Sequence, residues 1–283
     1  MLWKGQRQSS NVEDRRGSTG RKVAVGGGLG AVVVTVIILL LGGNPEEALQ
    51  NLAPTGLSTT EQTQALTAED REMGEFVSVV LADTEDVWNE LFRRSGRQYR
   101  EPRLVLFTDS TESACGFAQT ASGPFYCPSD EKVYLDLGFF KELQQFLNAP
   151  GNFARAYVIA HEIGHHVQNL MGIMDEVPQR RQTMDPAEYN RFMVELELQA
   201  DFLAGVWANH AQRMKNILES GDIEEAMNAA SAVGDDRVQK QTQGYVVPDS
   251  FTHGTSRQRA YWFGLGFKTG DLAQGDTRGA SER

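Results

Sequence analysis

At 283 residues the chain is long enough for one large domain or two small ones, and its content of 40% apolar and 23% charged residues excludes a wholly disordered polymer. Its 27 Lys and Arg against 38 Asp and Glu leave a net charge of −11, so the basic surface that a general nucleic-acid binder needs is missing. The charge is also uneven. Residues 1–22 carry Lys4, Arg7, Arg15, Arg16, Arg21 and Lys22 against Glu13 and Asp14, a local +4 that leaves −15 for the remainder.

Val23 to Gly43 is a run of 21 residues without a charge, which as a helix would extend roughly 31 Å, the thickness of a hydrocarbon core. Basic residues precede it, whereas Glu46, Glu47, Glu61, Glu69 and Asp70 follow it with no Lys or Arg among them. The positive-inside rule then predicts an anchor with residues 1–22 in the cytoplasm and everything after Gly43 outside. The alternative is a cleaved secretory signal; the long basic region and the absence of a small-residue cleavage site speak against it. Residues 44–67 read as a linker and 68–270 as the folded domain.

Within that domain the apolar spacing predicts helices over 69–94, 139–148, 152–171, 185–219 (with a possible break), 222–233 and 255–268. Arg103 to Thr108 and Lys132 to Leu137 are short β-prone runs. The class is therefore α+β, mostly helical with a small sheet, and Glu131 to Leu137 is the candidate sheet edge. The polar residues 271–283 read as a flexible tail. Cys115 and Cys127 stand in a Gly/Ser/Pro-rich stretch without zinc-site spacing, and outside the cytoplasm they are expected to form a disulfide contributing roughly 3 kcal/mol; the alternative is a pair of core thiols.

The chemistry concentrates in His161-Glu162-Ile-Gly-His165, inside the helix predicted for 152–171. Residues four apart share a helix face, so both imidazoles can meet one zinc ion, with Glu162 beside the open coordination position as general base. A metzincin would need Gly at 168 and His at 171, but Gln168 and Met171 stand there. The third ligand comes from Glu195-Leu-Glu197-Leu-Gln-Ala-Asp201. Glu197 and Asp201 are again one turn apart, so one can ligate while the other accepts a hydrogen bond from a ligand His. Glu195 points about 200° away from Glu197. The apolar flanks argue against a merely solvated acidic face. His166, about 100° round the helix from His165, cannot share its ion.

These residues, with Asn11-Val-Glu-Asp-Arg-Arg-Gly17, Gly123-Pro-Phe-Tyr-Cys-Pro128, Val133-Tyr-Leu-Asp136 and Phe251-Thr-His-Gly254, resemble the putative neutral zinc metallopeptidases of bacteria, single-pass membrane proteins of the gluzincin group. The resemblance covers nearly the whole chain. It implies a peptidase with one zinc ion per chain, ligands His161, His165 and Glu197, and catalytic base Glu162. Thr252-His253 and the trailing Arg259 look like the corresponding pair in membrane zinc endopeptidases, where the His donates to the oxyanion and the Arg braces it. The other reading of His253 is a helix-capping or packing residue.

The expectation is thus a zincin-like domain behind one transmembrane helix in a bacterial inner membrane, cleaving peptide or protein substrates on the extracytoplasmic side. Its rival is a non-catalytic envelope scaffold whose zinc joins two helices. A structural zinc would normally have four protein ligands and no use for Glu162.

Overall fold

The computed structural model describes residues 1–16, 66–119 and 123–282. The first segment forms β1 (Val12–Asp14), after which the helix α1 (Ala68–Arg94) begins at a capping box in which the Thr67 hydroxyl accepts from the Asp70 amide and Asp70 returns to the Thr67 amide. The inner face of α1 buries Phe76, Val77, Val80, Leu81 and Trp88. The strands β2 (Arg103–Phe107), β3 (Ser110–Ser113), β4 (Gly116–Gln119), β5 (Phe125–Cys127) and β6 (Lys132–Asp136) follow. The helices are α2 (Gly138–Gln145), α3 (Asn152–Leu170), α4 (Val177–Thr183), α5 (Pro186–Lys215), α6 (Asp222–Ala232), α7 (Asp235–Gln243) and α8 (Ser256–Thr269). The α+β class holds, and the helix expected over 185–219 runs unbroken over Pro186–Lys215, so the break allowed for within it is absent and it begins at Asp185-Pro186. There Asp185 caps the Glu188 amide and Pro occupies the first helical position, where its missing N–H costs nothing.

One sheet has the order β1-β2-β6-β5, parallel except for β5, and β3 and β4 form a separate hairpin. Leu104 to Phe107 and Val133 to Asp136 are buried throughout, as befits strands covered on both faces. β6 pairs with β2 on one side and β5 on the other. The expectation that Glu131 to Leu137 forms the edge is therefore corrected: the edges are β1 and β5, strands of three residues each, too short to show a period in sequence. Cys115 and Cys127 are bridged, with Cα atoms 5.8 Å apart, tying the β3–β4 turn to β5.

The N-terminal residues are part of this body. The Met1 amine donates to Asp222 at 3.0 Å and pairs with Glu219 at 2.9 Å, Trp3 packs edge-on against Phe76, and Val12 to Asp14 pair with Leu104 to Leu106. Their basic side chains are engaged locally: Lys4 with Glu72, Arg7 with Glu85 and Asp86, and Arg16 with Asp14. The described basic residues of the cluster that reads as a positive-inside signal thus serve ion pairs within the fold, while Arg21 and Lys22 lie outside the described residues. A single membrane crossing between residues 16 and 66 would put two partners of one sheet on opposite sides. The placement of residues 1–22 in the cytoplasm with the domain outside is accordingly corrected, because residues 1–16 and the domain share a side. Residues 23–43 and the linker up to residue 65 lie outside the described residues. Among the described residues no helix is long and apolar enough to cross a membrane.

The C-terminal residues differ from expectation too. Thr277 and Ala280 are 4% exposed, with Ala280 packed beside Val194, Leu198 and Phe251. Residues 271–282 are a docked segment rather than a loose tail.

Candidate metal centre

Three helices build the centre. α3 carries His161, Glu162 and His165; α5 crosses it with Glu197 and Asp201; α8 supplies Arg259. The crossings are close because glycines stand at them. A Cβ on Gly164 would lie 2.9 Å from the Ala200 carbonyl oxygen, and one on Gly205 would lie 2.1 Å from that of Phe263. Gly164 lies between Glu162 and the second histidine, so the motif that carries both histidines also lets α5 approach them.

His161, His165 and Glu197 each offer one ligand atom, all within 4.8 Å of one another, and they are the group of three or more such residues among the described residues that could hold a metal ion. The Nε2 atoms face Glu197: His161 Nε2 lies 3.1 Å from Oε2 and His165 Nε2 3.4 Å from Oε1. Two imidazoles and a carboxylate around a common point fit zinc, whose preferred donors are nitrogen and carboxylate oxygen at tetrahedral separation. His161, Glu162 and Glu197 are 7%, 7% and 9% exposed.

Each imidazole is oriented through its other nitrogen. His161 Nδ1 donates to Asp201 Oδ1 at 2.8 Å, and Asp201 also accepts from the Tyr157 hydroxyl and from Arg259 Nε at 2.8 Å. His165 Nδ1 donates to Gln168 Oε1 at 2.9 Å. The Gln168 amide is fixed in that sense because its Nε2 donates to the Leu196 carbonyl at 2.7 Å. Both rings therefore present an Nε2 lone pair to a metal.

The electrostatics follow from this burial and pairing. Burial disfavours the Asp201 charge, but Arg259 and His161 outweigh it and hold the carboxyl below its ordinary value. Burial likewise opposes the charges of His161 and Glu197. The carboxylates Asp201 and Glu197 nevertheless push metal-free His161 up to about 10, and the surrounding histidines hold Glu197 well below the carboxylate range. For Glu162 burial dominates and raises the carboxyl, with His161 and His165 pulling the other way. A carboxyl placed so retains its affinity for a proton.

His253 sits before α8 with half its side chain exposed. It does not cap that helix: Thr255 does, in a capping box with Gln258. Asp235 Oδ2 accepts the amides of Thr252, His253 and Gly254, and Oδ1 accepts from His253 Nδ1 at 3.2 Å. The imidazole lies near enough to Glu197 for their charges to stabilise each other. The expectation that Arg259 braces His253 is corrected: Arg259 holds Asp201, Tyr157 and the Val233 carbonyl, its charge opposes that of His253, and Asp235 does the bracing. His166 is fully buried, accepting from the Tyr126 hydroxyl on β5 and donating to the Arg100 carbonyl, so it fastens α3 to the edge strand.

Sequence reasoning passed over Tyr157, Gln168, Gln199 and Asp235. Tyr157 precedes His161 by one turn and could have been found on that face. Asp235 owes its position to a loop closure that no local pattern announces.

A family model for the putative neutral zinc metallopeptidase matches residues 1–278. The Escherichia coli K12 protein YpfJ, itself described as uncharacterized, is 46% identical over 287 aligned positions that cover 99% of this chain and all of the relative. A Mycobacterium tuberculosis H37Rv protein, the uncharacterized Rv2575, is 43% identical over 194 positions, covering 65% of this chain and 64% of its own length. No solved structure matches the chain. With a family model spanning 278 residues and a full-length relative at this identity, the chain belongs to the putative neutral zinc metallopeptidase family.

Proposed function

We propose that the protein is a zinc-dependent peptidase in which His161, His165 and Glu197 hold one zinc ion and Glu162 is the general base. The observation that supports this reading most is the convergence of three donors, rather than four, beside a buried acid whose carboxyl is raised. A scaffold zinc would call for a fourth protein ligand and leave Glu162 without a task. The bound ion would supply Lewis acidity, polarising the scissile carbonyl and acidifying the attacking water. Glu162 takes that water's proton and later delivers it to the leaving amine. His253, aligned by Asp235, donates a hydrogen bond to the oxyanion that develops on the former carbonyl. An extended substrate backbone would pair with the edge strand β5, which Tyr126 and His166 hold against α3.

The disulfide supports an oxidising compartment, and the uncharged run 23–43 supports association with the bacterial membrane, with residues 1–16 and the domain together on the extracytoplasmic face. Lys4→Cys and Tyr245→Cys, each at an exposed position, should become accessible to an impermeant thiol probe together; protection of one alone overturns that placement. The peptidase reading is tested by Glu162→Gln. The variant should keep stoichiometric zinc and lose hydrolysis, so that new N-termini among envelope proteins present in wild-type cells are missing from variant cells. Identical N-terminal profiles, or wild-type turnover of any peptide substrate, overturn it.

A further inference from the structure

The flank of α5 opposite its metal-site face carries a second arrangement. Glu197 and Asp201, one turn apart, face the metal centre. Glu195 and Gln199, also one turn apart, face the C-terminal segment. Glu195 Oε1 accepts the Gly279 amide at 2.7 Å, the Glu195 carbonyl accepts from Thr277 Oγ1 at 2.7 Å, and Gln199 Nε2 donates to the Gly275 carbonyl at 2.9 Å. On the other side Gln258 Nε2 donates to the Ala280 carbonyl at 2.9 Å. The segment fits closely enough that a Cβ on Gly275 would lie 2.6 Å from the Phe202 ring.

Gln199 also touches the metal centre through one intermediary. Its Oε1 accepts from Gln168 Nε2 at 3.0 Å, and Gln168 Oε1 accepts from His165 Nδ1 at 2.9 Å. A primary amide has a donor end and an acceptor end, so two in series transmit orientation. The Gly275 carbonyl can only accept, so it fixes which end of Gln199 faces it. Gln199 then offers oxygen to Gln168, whose Nε2 gives one hydrogen to that oxygen and the other to the Leu196 carbonyl at 2.7 Å, so Gln168 offers its own oxygen to His165. The imidazole is left with its proton on Nδ1 and its lone pair on Nε2.

We infer that Gln168 and Gln199 are positioning residues and that residues 271–282 form part of the metal site's support, holding the tilt of His165 through this amide relay alongside the hold that the Leu196 carbonyl has on Gln168. The inference rests on the zinc assignment proposed above and adds to it a device that acts on one ligand from a segment on the far side of α5. The relay carries no formal charge, in contrast to the Asp201–Arg259 pair behind His161.

The test measures zinc affinity of the full chain by chelator competition and the visible absorption of its cobalt-substituted form. Gln168→Leu should weaken zinc about 10- to 100-fold, as loss of a direct partner of a ligand does. Gln199→Leu, which leaves His165, Gln168 and the Glu195 contacts to the segment in place, should weaken zinc about three- to tenfold and shift the cobalt bands, on the same principle one bond further out. A variant ending at residue 270 should match Gln199→Leu, and combining the two should add nothing, since both cut one series. Thermal unfolding of the metal-free variants reports general damage separately, and it serves as the control if the shortened chain folds poorly. If Gln199→Leu binds zinc within twofold of wild type with unchanged cobalt bands, the relay ends at Gln168 and the inference is wrong. If wild-type protein itself binds no zinc, the metal assignment fails instead.

Discussion

The two histidines of the motif are held by different physics. Behind His161 stands a fully buried ionic cluster, with Asp201 at 0% exposure, Arg259 at 4%, and Tyr157 between them. Behind His165 stand two neutral amides and two backbone carbonyls, those of Leu196 and Gly275. The first brace joins three core helices and has its partners in α3, α5 and α8. The second runs outward to a peripheral segment. A buried ion pair is costly to break by halves, because the survivor keeps its desolvation penalty without its partner. An amide chain loses only hydrogen bonds. The contrast predicts that damage behind His161 is global and pH-dependent, whereas damage behind His165 is local and pH-independent.

The largest effect should come from Asp201→Leu, which strands the buried Arg259 guanidinium. We expect about 3–5 kcal/mol of destabilisation, the usual cost of removing one member of a buried pair. Gln168→Leu should cost about 1–3 kcal/mol, the desolvation penalty of the unmatched groups it leaves behind. Urea unfolding of metal-free protein measures both. Equal losses would break the comparison.

The helix crossing comes next. Gly164→Ala places a Cβ 2.9 Å from backbone oxygen that cannot swing aside, so α3 and α5 must separate, at about 1–3 kcal/mol. Zinc affinity should fall with it, since the separation moves both histidines away from Glu197. Unchanged affinity would mean that the ligands, not the packing, set their own spacing.

The pH dependence divides the braces more finely. Metal-free His161 is raised from 6.5 to about 10 by Asp201 and Glu197. A base whose folded value is raised gives stability that is complete below its unfolded value and is lost as pH climbs through the folded one. Stability of metal-free protein should therefore decline between about 6.5 and 10 on this account. Asp201→Asn should flatten that decline and Gln168→Leu should leave its slope alone. Burial lowers His166, giving the opposite sign: that contribution is present above 6.5 and lost as pH falls. An alkaline arm that survives Asp201→Asn intact would assign it to other groups.

What could be read without coordinates follows the same division. The spacing within His161 to His165 and between Glu197 and Asp201 is local helical geometry, and it separated the metal-facing acids from Glu195. A contact from Asp201 to one of the two motif histidines was foreseeable because a ligand histidine needs a partner and only one acid stood a turn from Glu197, but that it is His161 emerged only from the fold. The neutral brace left no such mark, since Gln168 and Gln199 are ordinary helix residues whose roles exist only once α3, α5 and the C-terminal segment meet. The N-terminal residues misled for a physical reason. Arg7 finds Glu85 and Asp86 nearly eighty positions away, so beside an apolar run its charge reads as topology. The C-terminal segment misled through composition: its docking uses backbone amides and carbonyls, which polarity along a sequence does not reveal.

The smallest effect is the most discriminating. From sequence alone Glu195→Ala should do little, because Glu195 faces away from Glu197. In the structure its carboxylate accepts the Gly279 amide and approaches Ser281 Oγ at 3.4 Å, while the Thr277 bond goes to its backbone carbonyl and survives substitution. Loss of one such contact at a partly buried position should cost about 0.5–1.5 kcal/mol. Gln199 would still reach Gly275, though from a segment less firmly held, so zinc should weaken by about two- to threefold, less than the loss of a direct partner. The size and the order matter together. Gln168→Leu, Gln199→Leu and Glu195→Ala should form a descending series in zinc affinity while their metal-free stabilities need not follow that order. A Glu195→Ala variant that loses zinc altogether would make that acid a ligand and exchange the two faces of α5. One whose affinity equals wild type, beside a weakened Gln199→Leu, would mean that the segment keeps its hold on Gln199 without the Glu195 clamp.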